Sequence, residues 1–246
     1  MVAALIAVVV LAVILVVGWL VAERIVRENA TTRIQNELTT ALQLDDGHPM
    51  GIELGEAALL PQVIGGSLDT LDVSIDDVPI NGIVASVTFS ATQVPLDSSR
   101  PLGSVSATAT VDESEIGKLG DSLSGVELDS IALEDGAVVA TTVLSAFGFE
   151  VPVSAALEPS VSGGAIEFEP VSFTVNGATL SLEELRDGRF GRLVDSLLPQ
   201  QSFCVAENLP ESIELESAVV TGGQLMLGFT GADVVLDDLD TPGACD

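Results

Sequence analysis

The chain has 246 residues, 37 of them acidic and 8 basic, for a formal charge of -29. That charge repels nucleic acid and anionic headgroups and excludes a nucleic-acid role. Lys118 is the only lysine, so a phosphate clamp would have to be built from a few arginines.

The first stretch is apolar. From Val2 to Ala22 there is no charged residue, and Val, Ile, Leu and Ala fill nearly every position. About 20 apolar residues in a helix cross a hydrocarbon core of roughly 30 Å. Residues 1–22 therefore predict a transmembrane anchor; a cleaved signal segment is the competing reading, against which stand the length of the run and the lack of a clean small-residue cleavage site. Arg24, Arg27 and Arg33 follow the span and no Lys or Arg precedes it, which alone would turn the following domain inward. Two observations are set against this: the start Met meets the apolar run directly, as it would if a basic leader were missing from the sequence, and the composition of the domain looks exported. The expectation is a cell-membrane protein with its domain, residues 23–246, on the extracytoplasmic side of the cell envelope.

From Glu23 to Leu44 the spacing becomes that of an amphipathic helix, with Ile34, Leu38, Ala41 and Leu42 on one face, ended by Asp45-Asp46-Gly47-His48-Pro49. Beyond it, alternation at period two predicts antiparallel strands. Leu71, Val73 and Ile75 begin the series, and Ile83, Ala85, Val87, Phe89 and Ala91 alternate with Ser86, Thr88, Ser90 and Thr92. Val105, Ala107, Ala109 and Val111 repeat the pattern before Asp112 and Glu115, whose spacing predicts a capped short helix through Leu123. A second series holds Phe149, Val151 and Val153, then Ile166, Phe168, Val171 and Phe173. Ser181 with Glu184 reads as a capping box for a helix carrying Leu193 and Leu197, and strands at 213–236 close the chain. The fold class is α+β: a curved antiparallel sheet wrapped around amphipathic helices.

Cys204 and Cys245 are the only cysteines. In an exported protein an even pair most simply forms a disulfide; two buried free thiols are the alternative. Catalytic signals are weak. Gly120-Asp121-Ser122-Leu123 carries the four letters that mark the nucleophile of one lipase and esterase family, but the only histidine, His48, lies far upstream, and a serine nucleophile needs a base. Acidic pairs such as Asp45-Asp46, Asp76-Asp77 and Asp237-Asp238 lack the spacing of a calcium loop, and one His with two Cys assembles no zinc set. No catalytic residue, metal or cofactor is assigned.

The order of features resembles a known family. A signal or anchor, a helix rich in Ala, Ile and Leu, the segment Leu59-Leu60-Pro61-Gln62-Val63-Ile64-Gly65-Gly66-Ser67-Leu68 with Leu71-Asp72-Val73, and Leu209-Pro210-Glu211-Ser212-Ile213 leading to Gly231-Ala232-Asp233-Val234 are similar to the LmeA-like phospholipid-binding proteins of the actinobacterial envelope. The resemblance implies a non-catalytic phospholipid-binding protein, with a link to mannan or lipomannan maturation. It also implies an elongated fold of the bactericidal permeability-increasing type, a long helix wrapped by a curved sheet. The apolar strand and helix faces then become the expected lining of an acyl-chain cavity: Val87, Phe89, Phe149, Val151, Val153, Phe168, Phe173, Leu193 and Leu197. The expected partners are a phospholipid or other acyl lipid and the membrane. Two rivals remain, an envelope interaction domain with a solid core and, more remotely, a serine esterase.

Overall fold

The structure is a computed structural model that describes residues 2–80, 82–124, 128–146, 149–181 and 201–245; side chains are described for these except 2–15, 119–124, 144–146, 149, 181 and 201. The expected helix at Leu193 and Leu197 lies outside the described residues.

One continuous helix, α1 (Val2–Ala41), carries both the apolar run and the amphipathic stretch, so Gly18 does not break it. Its inner stripe runs through Val26, Ala30, Ile34 and Leu38, which pack on buried Leu54, Leu59, Leu68, Val73 and Ile75. These positions repeat every four residues, which keeps them on one side of the helix. Ala41 and Leu42 were expected on that face and are exposed instead; the helix ends there, and Leu44 takes the last place in the seam.

Two six-stranded antiparallel sheets follow, where the sequence predicts one. The first runs in the order β1 (Met50–Glu53), β2 (Ser67–Ile80), β3 (Ile83–Pro95), β4 (Pro101–Asp112), β12 (Gln224–Val235), β11 (Glu214–Thr221). The second runs β10 (Gln201–Cys204), β8 (Ala165–Val175), β7 (Phe149–Ser162), β6 (Ala137–Ala146), β5 (Ser130–Glu134), with β9 (Ala178–Ser181) also paired to β8. The closing strands thus return to the first sheet, because β12 pairs with β4 over eleven residues, from Gln224 opposite Asp112 to Val235 opposite Pro101. The sheets meet where Leu215 and Ala218 of β11 pack on Ile166 of β8, and where Val220 and Leu225 pack with Leu133 and Val138.

Two short helices tie the layers. In α2 (Leu59–Gly65) the amides of Leu59 and Leu60 donate to the Glu23 carboxylate of α1 at 2.5 and 3.1 Å. Arg27 donates to the carbonyls of Gly55 and Ala57, both at 3.1 Å. In α3 (Glu113–Ser124), Glu115 accepts from the Val84 amide and from Lys118, and Glu113 from the Leu133 amide. The expected Asp112–Glu115 capping box gives way to these ties, which join α3 to both sheets.

The Leu59 amide, then the Leu60 amide, and less strongly Arg27 hold the Glu23 carboxyl below its ordinary range. A depressed folded-state pKa contributes stability that is present above the unfolded value and lost as pH falls through the folded one. Hydrogen exchange of the Leu59 and Leu60 amides, relative to intrinsic rates, should accelerate in acid below about pH 4. Glu23→Gln should show weaker protection that no longer titrates. Identical acid profiles for the two proteins would contradict the role given to Glu23.

Among the described residues no helix is long and apolar enough to cross a membrane. The expected span at 1–22 falls largely on side chains outside that set. The described part of that run is exposed: Val16, Val17, Trp19, Leu20 and Val21 each leave about half their surface uncovered.

Candidate functional site: an apolar trough across the first sheet

Register determines what the first sheet presents. Val73, Phe89, Ala107, Phe229 and Leu215 lie opposite one another across β2, β3, β4, β12 and β11. The next inward row is Ile75, Val87, Ala109, Leu227 and Ala218. The outer members of both rows are buried, Val73 and Ile75 on the α1 side and Leu215 and Ala218 against β8. The middle members, Val87, Phe89, Ala107, Ala109, Leu227 and Phe229, are only half-buried.

The same strands are buried again on either side of these rows along their length. Ala91, Leu102, Val105 and Val234 form one buried cluster, and Ala85, Val111, Val220 and Leu225 belong to another. The centre of the sheet is therefore an apolar trough between α1 and the second sheet. On β4 this surface carries two alanines, Ala107 and Ala109, between larger neighbours, so less side-chain bulk covers the strand there than a Val or Leu would supply.

The opposite face of these strands is hydroxylated. Asp72, Ser74, Thr88, Ser90, Ser106 and Thr108 line an open cleft of about 320 Å³ there, which Val73, Phe89 and Ala107 also border, with Ser90 donating to Asp72 at 2.6 Å. Two further open clefts, of about 310 and 410 Å³, lie near Glu113 and Asp129 and near Ser212 and Asp238. Of the residues expected to line a cavity, Phe89 alone borders any of these three clefts.

The expected lining residues fall into separate places. Val87 and Phe89 lie in the trough. Phe168 stands at the seam, packed on the cores of both sheets and edge-on to Phe203 with ring centroids 5.9 Å apart. Val151, Val153 and Phe173 are half-buried in the second sheet, where Val153 pairs with Val175 and Phe173 with Leu180. Phe149 begins β7, its side chain outside the described set, and Leu193 and Leu197 lie outside the described residues. Sequence reasoning missed Ala107, Ala109, Leu227 and Phe229. The available signal was the smallness of β4's inward positions, which reads as filler in a strand pattern.

The disulfide is formed. Cys204 and Cys245 are joined with Cα atoms 5.8 Å apart, fixing the tail after β12 to the end of β10. Glu211 and Gly243 donate to the carbonyls of Thr241 and Leu209 on the way, so the tail links the two sheets. Gly164 lies under this crossing with φ of +79°, where an added Cβ would come 2.8 Å from that of Ala206. His48, the one histidine, places Nε2 2.7 Å from the Asp76 carbonyl. The Ser122 side chain lies outside the described set. Among the described residues no three His, Cys, Asp or Glu side chains gather as metal ligands.

Neither a curated protein nor a solved structure matches the chain. The sequence model of the LmeA-like phospholipid-binding family matches residues 21–230, which takes in the inner stripe of α1, five strands of the trough sheet and the first part of β12, to Thr230. With that match covering most of its length, the chain belongs to the LmeA-like phospholipid-binding family.

Proposed function

We propose that this protein holds a phospholipid by its acyl chains along the trough, without catalysis, at the outer side of the cell membrane. The observation that carries the reading is the half-buried apolar centre of the first sheet, Val87, Phe89, Ala107, Ala109, Leu227 and Phe229, in a chain of a phospholipid-binding family. An acyl chain laid there would complete the burial that the protein leaves unfinished. Val151, Val153 and Phe173 extend the apolar surface into the second sheet, and Phe168 stands between the two regions.

The long helix on a wide antiparallel sheet supports an architecture like that of bactericidal permeability-increasing domains, divided here between two sheets. The apolar first half of α1 is the membrane anchor in this reading, and 23–246 is the single domain it carries. The family match also brings a role in lipoglycan maturation within reach, as supply or presentation of lipid.

Affinity should come from methylenes, each worth about 0.8 kcal/mol when buried. Uptake by delipidated full-length protein should rise with acyl length and change little with ionic strength. Uptake that follows headgroup charge and ignores acyl length would overturn the trough reading in favour of a solid interaction domain.

A further inference from the structure

A second apolar surface lies at one end of the first sheet, separate from the trough. The strands β2 and β4 begin at this end and β3 and β12 finish there, since Ser67 pairs with Pro95 and Pro101 with Val235. Their loops are joined by backbone hydrogen bonds, Leu96 donating to Gly66 and Asp237 to Ser98. Large apolar side chains crowd these loops and face solvent. Ile64 is 83% exposed and Leu96 52%, with Val63, Leu236 and Leu239 each exposed by about 40%. Single exposed apolar residues also occur in the strands, such as Val171 and Val219, but five gather at these joined loops, and a patch of that kind points to a partner.

The way α1 enters the domain identifies that partner. Val26 and Ala30 share a cluster with Leu59 of α2 and Leu68 at the start of β2, and Leu38 one with Val73, Ile75 and Val78 further along it, so the helix runs along the sheet from this end to the other. Glu23 holds α2, which bears Val63 and Ile64, by the amides of Leu59 and Leu60. One turn earlier come Trp19 and Leu20, exposed by 48% and 61%. The apolar segment of α1 thus leaves the domain at the end where Ile64 and Leu96 protrude. No flexible linker intervenes, because α1 is unbroken from Val2 to Ala41.

The geometry points to this loop end as a surface that inserts into the headgroup and upper acyl region of a bilayer, with Ile64 and Leu96 at its tip. Attraction to an anionic surface cannot drive it, given a net charge of -29 and the neighbouring Asp97, Asp237 and Asp238. Insertion is by apolar side chains beside an indole at headgroup level, the arrangement found in interfacial segments. It would set the long axis of the first sheet, and with it the trough, against the membrane. The inference rests on the loops and α1 and does not require the trough to be filled.

Trp19 is the only tryptophan, which makes a fluorescence test direct. Full-length protein carrying Trp19→Phe and Ile64→Trp is reconstituted in phosphatidylcholine vesicles, some with bromine on the acyl chains. Leu96→Trp is a second probe, and Thr221→Trp, at the end of β11 beside its turn to β12 and at the opposite end of the sheet, is the control. The expected result is a blue-shifted emission at 64 and 96, quenched at least twofold by brominated lipid and unchanged in high salt, with residue 221 unquenched. Water-like, unquenched emission at both 64 and 96 in folded protein would overturn the insertion surface, as would quenching abolished by salt or equal at 221. Lipid uptake measured on the same variants separates the two ideas: loss of quenching with uptake retained removes the insertion surface and leaves the trough intact.

Discussion

Replacing Cys204 and Cys245 with alanine is expected to lower the stability of the domain by about 3–4 kcal/mol. The bridge closes a segment with a sequence separation of 41, and restricting the unfolded chain by a loop of this length accounts for that magnitude. The folded state amplifies the consequence, because the bridge joins the tail that follows β12 in one sheet to β10 in the other. What remains at the crossing is modest: the hydrogen bonds of Glu211 to Thr241 and Gly243 to Leu209, which make the bridge between Pro210 and Pro242. For a domain of this size the loss corresponds to a fall in melting temperature of roughly 10 °C. Urea unfolding of the variant beside the oxidised wild type, with thiols counted in both, is the check. A difference below about 1 kcal/mol would show that the tail holds without its bridge.

The second large effect belongs to β4. Ala107→Phe should abolish lipid uptake while leaving the fold in place, since a benzyl group at this half-buried position rises between Phe89 and Phe229 and occupies the space assigned to the acyl chain. If it displaces about six methylenes, the loss is about 5 kcal/mol, more than a thousandfold in affinity. Ala109→Leu should act in the same direction one row away. Ser106→Phe is the control, because successive residues of a strand point to opposite faces and Ser106 is exposed where Ala107 is half-buried. Uptake by Ala107→Phe equal to that of wild type, with far-ultraviolet circular dichroism unchanged, would place the lipid elsewhere.

Much of this fold was legible in the sequence because its strands alternate cleanly. The β3 and β4 rows are written in the alternation of Val87, Phe89 and Ala91 with Thr88 and Ser90, and the structure keeps those faces. The cysteine pairing was legible because only two were present. The partition into two sheets was not, since alternation fixes which way a residue points and carries nothing about which strands become neighbours. The pairing of β12 with β4 spans more than a hundred residues of chain and arises from matching lengths and faces that no local pattern displays.

The site was read unevenly for the same reason. Val87 and Phe89 were placed on an inward strand face because large apolar residues announce one, and the register puts them at the centre of the first sheet. Phe168 was found for the same cause, yet it serves the seam between sheets, where its bulk is used in packing. Ala107 and Ala109 were read as part of an inward row but not as lining residues, because small residues carry little hydrophobic signal. The ties of Glu23 and Arg27 were also hidden. In the sequence Arg27 counted only as a positive charge after the apolar run, whereas in the structure Glu23 caps α2 and Arg27 grips the carbonyls of Gly55 and Ala57.

Native mass spectrometry of the full-length protein, extracted from its own membrane and released from detergent, tests the acyl-lipid reading most directly. Burying about 12 methylenes of a chain contributes on the order of 10 kcal/mol before ordering costs, enough for lipid to survive purification. The account predicts protein ions carrying discrete added masses of phospholipid, removed by Ala107→Phe and retained by Ser106→Phe. Wild-type ions at the bare protein mass alone, from a preparation that also takes up no added phospholipid, would contradict it.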